Sequence, residues 1–116
     1  MSTPSIKVPY FQYYIDLVQE ETVLEALKNS IATQVEFLGS IPLEKADFAY
    51  DEGKWTIKQL VQHLTDTERI FNYRALTFMR ESGADLPGFD HDAYTDNLKL
   101  DHIELPKLVG EFMTVR

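Results

Sequence analysis

The stretch "GKWTIKQLVQHLTDTERIFNYRALTFMR", residues 53–80, decides the fold. Thr56 and Gln59 have the spacing of a capping box, in which each side chain satisfies a backbone N–H at a helix start. Trp55 before the cap and Leu60 after it are spaced as a hydrophobic staple, and Gly83 follows as a left-handed stop. Together they predict one helix from about Thr56 to Ser82, about 27 residues or roughly 40 Å at 1.5 Å per residue. At roughly 100° per residue, Ile57, Leu60, Leu64, Phe71, Ala75 and Phe78 share one face, with Val61 and Met79 beside them. That face predicts the core. His63, Thr67, Ile70 and Arg74 form a second line along one flank, and Asp66 lies further round toward solvent. Glu68 falls inside the apolar stripe, where a carboxylate needs a cation, a metal or strong donors. Arg69 and Arg74, on neighbouring turns, are the candidates for a structural ion pair.

Working outward, three further segments carry helical periodicity and none carries sustained alternation. "YFQYYIDLV" (10–18) predicts one or two turns. From near Thr22, Val23, Leu24, Leu27, Ile31, Val35 and Leu38 recur at three- and four-residue steps, and Gly39 and Pro42 end the pattern. "PLEKADFAYDEGK" (42–54) reads as a connector with one helical turn, and "ADLPGFDHDAYTDNLKLDH" (84–102) as a loop turning at Pro87-Gly88. Phe89 and Tyr94, two aromatics in an acidic segment, predict that this loop docks on apolar surface. The last helix begins around Pro106, a residue suited to a first turn. These helices cannot close a bundle around the faces they offer, which predicts a missing wall from a further helix or a partner chain.

At 116 residues the chain predicts one domain with a modest core. There is no cysteine, which excludes disulfides, thiolate metal sites and a cysteine nucleophile. A net charge of -8, with the basic residues scattered, opposes attraction to nucleic acid or anionic lipid. No apolar run reaches the roughly 18 residues of a spanning helix. "MSTPSIKVPYF" lacks the basic start and apolar run of a signal peptide, so a cytoplasmic protein is expected. Glycines are too sparse for a phosphate-cradling loop, and no nucleophile–base arrangement stands out.

His63 is the residue with chemistry. By itself it reads as a boundary histidine hydrogen-bonded to a neighbouring helix, because one imidazole is not a metal site. His91 and His102 lie in the acidic loop, at spacings of 28 and 11 residues that match no local metal motif, and read as solvated.

"HLTDTER" (63–69), "YRAL" (73–76) and "LPGFD" (86–90), with "YYIDLV" (13–18) and "EFMTVR" (111–116), resemble the DinB/YfiT-like family of metal-dependent helical bundles. The resemblance covers nearly the whole chain. It implies an all-α, up-down bundle of the DinB-like four-helix type, with 1–116 as a single domain lacking its last helix or helices. It also implies a divalent metal, nickel or zinc, held by three histidines. The first corresponds to His63; the other two form an H-x-x-x-H pair on the family's last helix, past Arg116. This chain contains no H-x-x-x-H. One imidazole gives too few bonds to offset stripping water from an ion, so tight binding by this chain alone is not expected. Asp66 and Glu68 are then candidates to orient His63 through its other ring nitrogen, with Asp66 favoured by spacing. Hydrolase or thiol-dependent transferase activity on an unspecified small molecule is implied for the full-length protein, with the 116-residue chain alone inactive. The alternative is a metal-free structural or interaction bundle completed by a partner chain as a homodimer. Neither reading implies nucleic acid or membrane.

Overall fold

The computed structural model describes residues 9–116; the start of the segment read above for a leader, residues 1–8, lies outside them. In chain order the helices are α1 (Pro9–Asp16), α2 (Val23–Gly39), α3 (Ile57–Arg80), α4 (His91–Asp96) and α5 (Leu105–Val115), with a 3-10 turn at Leu43–Lys45. No strand occurs among the described residues. The fold is all-α, as the periodicity predicts.

The chain forms two compact units, Met1–Phe37 and Leu38–Arg116. In the first, the Gln12 amide donates to Asp16 Oδ1 at 2.7 Å along α1. At the start of α2, the Glu25 amide donates to Thr22 Oγ1 at 3.2 Å, satisfying one of the N–H groups a helix leaves orphaned there.

The second unit is organised by α3. Its capping box is present: the Gln59 amide donates to Thr56 Oγ1 at 3.2 Å, and the Thr56 amide donates to Gln59 Oε1 at 2.8 Å. The connector supplies the rest. Ile57 N–H donates to the Phe48 carbonyl and Lys58 N–H to the Ala46 carbonyl, each at 3.0 Å, so the first turn is capped by a segment arriving from another direction. At the far end α3 stops at Arg80, and Gly83 adopts φ 71°, a left-handed value that a side chain would strain.

The core is Leu38, Ala46 and Val61 with Leu105, Leu108, Val109 and Phe112 of α5. α5 starts at Leu105, one residue before the predicted Pro106, and lies on the α3 flank that carries Val61 and Thr65. Thr65 is completely buried, its hydroxyl donating to the Val61 carbonyl at 3.3 Å. Lys58 is also buried; its ammonium donates to the Leu100 carbonyl at 3.2 Å and lies 3.7 Å from Asp47.

The predicted core face of α3 is a different matter. Leu60, Leu64, Phe71, Phe78 and Met79 are exposed, whereas Val61, at the edge of that stripe, is in the core and Ile57 packs against it. The reason is the position of α5, which packs on the flank of Val61 and Thr65 and not over the middle of the apolar stripe. The acidic loop is also not wholly a loop. Asp90 Oδ1 accepts from the Asp92 and Ala93 amides, each at 3.1 Å, and this cap starts α4. Of the two loop aromatics, Phe89 is half-buried as expected, whereas Tyr94 is 50% exposed.

Candidate functional site

The flank of α3 opposite α5 carries His63, Thr67, Ile70 and Arg74 at helical spacing, and the segment from Leu86 to Tyr94 comes against it. Arg74 fastens that segment. Its guanidinium donates to the Pro87 carbonyl at 3.3 Å and lies 5.9 Å from the ring centres of both Phe71 and Phe89. A cleft of about 320 Å³ lies here, lined by Ile70, Tyr73, Arg74, Leu86, Phe89 and Tyr94.

With the segment anchored and α4 capped by Asp90, His91 comes to the imidazole of His63. The two ring centres are 5.8 Å apart at an interplanar angle of 60°. Trp55 touches both, 4.9 Å from His63 and 5.9 Å from His91. On its other side Trp55 forms part of an open cleft of about 430 Å³ with Phe48, Tyr50, Ile57, Leu60 and Asp92. The imidazole pair therefore sits behind one wall of an aromatic cleft.

Electrostatics favours the neutral form of His63. Its pKa is lowered first by partial burial and next by the charge of His91, while Asp66 and Asp92 pull it back up. A neutral imidazole keeps a nitrogen lone pair free for a metal ion or a proton.

Asp66 is thus close enough to act on His63, and it accepts a hydrogen bond from the Gln62 amide at 3.0 Å. Glu68 turns elsewhere. Its carboxylate pairs with Arg116 at 3.7 Å on the α5 side. Neither Arg69 nor Arg74 is its partner: Arg69 pairs with Glu111 at 2.6 Å, and Arg74 holds the Pro87 segment. His102 is exposed in the turn before α5.

Of two further residues at this site, the sequence reads His91 as solvated and places Thr67 on the His63 line without a role. His91 is 28 positions from His63, so only the fold-back of the segment brings them together; the aromatic Phe89 beside it was the available signal. Thr67 is one turn after His63, and its hydroxyl is buried with no hydrogen-bond partner. Thr65, Thr77 and Thr114 all donate to the carbonyl four residues back. Thr67 does not, so it retains a donor and acceptor for something else.

Whether a metal fits is decided by the donors. His63 and His91 offer two imidazoles, and Thr67 offers an orphaned buried oxygen beside them. Among the described residues, however, no three His, Asp or Glu side chains gather into a set that could hold a metal ion. The residues present fit part of a histidine site and not a closed one.

These features define a helical protein in which a half-buried imidazole, His63, meets the exposed ring of His91 beside an aromatic cleft. The chain belongs to the DinB superfamily, whose family model matches residues 26–116. No curated protein and no solved structure matches the chain. No helix among the described residues is long and apolar enough to cross a membrane.

Proposed function

We propose that the protein is a single-domain DinB-type bundle that binds a divalent metal, nickel or zinc, with His63 as one ligand. The resemblance implies two further histidine donors, an H-x-x-x-H pair that this sequence does not contain. The observation that carries this reading is the setting of His63: half-buried, its pKa lowered by burial and by His91, and in ring contact with Trp55 of an aromatic cleft. A bound divalent ion with an open position lowers the pKa of water or polarises a thiol, which is the chemistry of a hydrolase or a thiol-dependent transferase. The chain's own residues would do the rest. Asp66 biases the His63 ring electrostatically, Trp55 screens it from solvent, and the cleft beside Trp55 receives the apolar part of a small-molecule substrate. Calorimetric titration of the protein with nickel and with zinc tests this. The expected result is binding that His63→Ala removes; binding unchanged in that variant would overturn it.

A second reading is favoured by the exposed stripe of α3. Leu60, Leu64, Phe71 and Phe78 form an apolar face of the kind that a partner covers. In this reading the protein is a metal-free interaction bundle that pairs with a second copy. Sedimentation equilibrium at several protein concentrations tests it, and a mass equal to one chain throughout would exclude it.

A further inference from the structure

We infer that the cleft beside Arg74 binds a small organic carboxylate with a flat apolar body. The carboxylate pairs with the Arg74 guanidinium, and the body lies on the apolar wall formed by Ile70, Leu86 and Phe89. This cleft is distinct from the one beside Trp55, and its ligand is independent of any metal at His63.

Charge singles the cleft out. In a chain of net charge -8, its lining holds Arg69 and Arg74 and no carboxylate. The charge of Arg69 is already opposed by Glu111 at 2.6 Å. Arg74 takes part in none of the ion pairs among the described residues, which join Lys58 to Asp47, Arg69 to Glu111, His91 to Asp92 and Arg116 to Glu68. It donates from one terminal nitrogen to the Pro87 carbonyl at 3.3 Å. A guanidinium carries five N–H donors in a planar fork, so donors remain for both oxygens of a carboxylate.

Arg74 is also held in place before any ligand arrives. The ring centres of Phe71 and Phe89 each lie 5.9 Å from its guanidinium carbon. With the Pro87 bond, these contacts reduce the side-chain entropy that gripping a ligand costs. Phe89 is steadied in turn by Tyr94, the ring centres 5.3 Å apart at 48°. The cleft, at about 320 Å³, is at the small end of the range usual for ligand sites, which suits a compact acid. An inorganic anion engages Arg74 but leaves the apolar wall unused, whereas an aromatic or branched carboxylate uses both.

Benzoate is the probe, with its neutral methyl ester and inorganic phosphate as comparisons. Each is titrated into the isotope-labelled protein without added metal, so the outcome is separate from the assignment of His63. NMR follows the Arg74 side-chain N–H and the ring signals of Phe89 and Tyr94. Benzoate is expected to move all three in one saturable titration, with the ester and phosphate each binding about tenfold more weakly or worse. Arg74→Lys, which keeps the charge and loses the fork, is expected to weaken benzoate about fivefold or more. Because Arg74 also fastens the Pro87 segment, the comparison of probes on the unmodified protein decides the matter first. Benzoate that moves none of the three signals overturns the inference. An ester that binds as tightly removes the role of Arg74, and phosphate that binds as tightly removes that of the apolar wall; either overturns it. So does an unchanged benzoate affinity in Arg74→Lys.

Discussion

Leu108→Ala and Leu64→Ala form a pair that separates the core α5 builds from the face the helix wheel selects. Leu108 is 1% exposed and is enclosed by the cluster that includes Val61, Leu105, Val109 and Phe112. Removing its branched end loses the transfer free energy of three carbons and leaves a cavity that helix packing closes only in part. Together these cost about 3 kcal/mol, within the 2–5 kcal/mol typical of such changes. Leu64 has the same chemistry but is 37% exposed, so less surface is lost and no closed cavity forms. Its truncation costs roughly 1 kcal/mol. Urea unfolding followed by far-ultraviolet circular dichroism measures both. With a slope of about 1–1.5 kcal/mol per molar for a chain of this size, the midpoint falls by about 2–3 M for Leu108→Ala and by under about 1 M for Leu64→Ala. Equal losses for the two would refute the reasoning, because Leu64 would then be covered in solution. A negligible loss for Leu108→Ala would show that α5 does not pack where it is described.

The capping box predicts that Thr56→Ala costs about 1 kcal/mol, since the Gln59 amide loses its acceptor at the start of the longest helix; an unchanged urea midpoint would mean that the connector carbonyls suffice alone. The lowered pKa of His63 predicts a pH effect with a definite sign. Its folded-state value lies below the 6.5 of the unfolded chain, so on acidification the unfolded state takes up the proton first. Stability is therefore unaffected by this group well above pH 6.5, falls as pH drops below that value, and levels off below the folded-state pKa. Denaturation midpoints measured across this range should show that slope reduced in His63→Asn, and an identical slope in the variant would remove His63 as its source.

What the sequence made legible was the chemistry that is local along the chain. The Thr56–Gln59 box, the left-handed Gly83 and the division into helices depend on neighbours three or four residues apart, and each is present. α4 was legible in principle, because Asp90 caps its own next turn, but the acidic composition around it reads as loop. The buried face of α3 was not. A helix wheel weighs Thr65 as polar, yet its hydroxyl donates to the Val61 carbonyl four residues back, leaving a methyl to pack. Such threonines behave as apolar residues once buried. The partner of Glu68 was hidden for another reason: Arg116 is 48 positions away and reaches it only because α5 returns along α3.

The same distinction explains why half of the site could be read and half could not. His63 is conspicuous because it stands beside an apolar stripe on a strongly signalled helix, where an imidazole is unexpected. His91 has no such frame. It precedes an aspartate in an acidic stretch, and its significance appears only when Arg74 holds the Pro87 carbonyl and Trp55 fills the space beside both imidazoles. One consequence concerns α3 as a whole. Leu60 is one turn before His63, at i−3, so the exposed stripe runs next to His63 there. A helix or second chain that covers Leu60 lies next to the His63 ring and withdraws water from it. Covering that part of the stripe and disfavouring the charged imidazole thus act in the same direction, since withdrawal of water from an imidazole disfavours its charged form. A ligand that requires the neutral ring and a partner that buries the stripe therefore favour the same state of this helix.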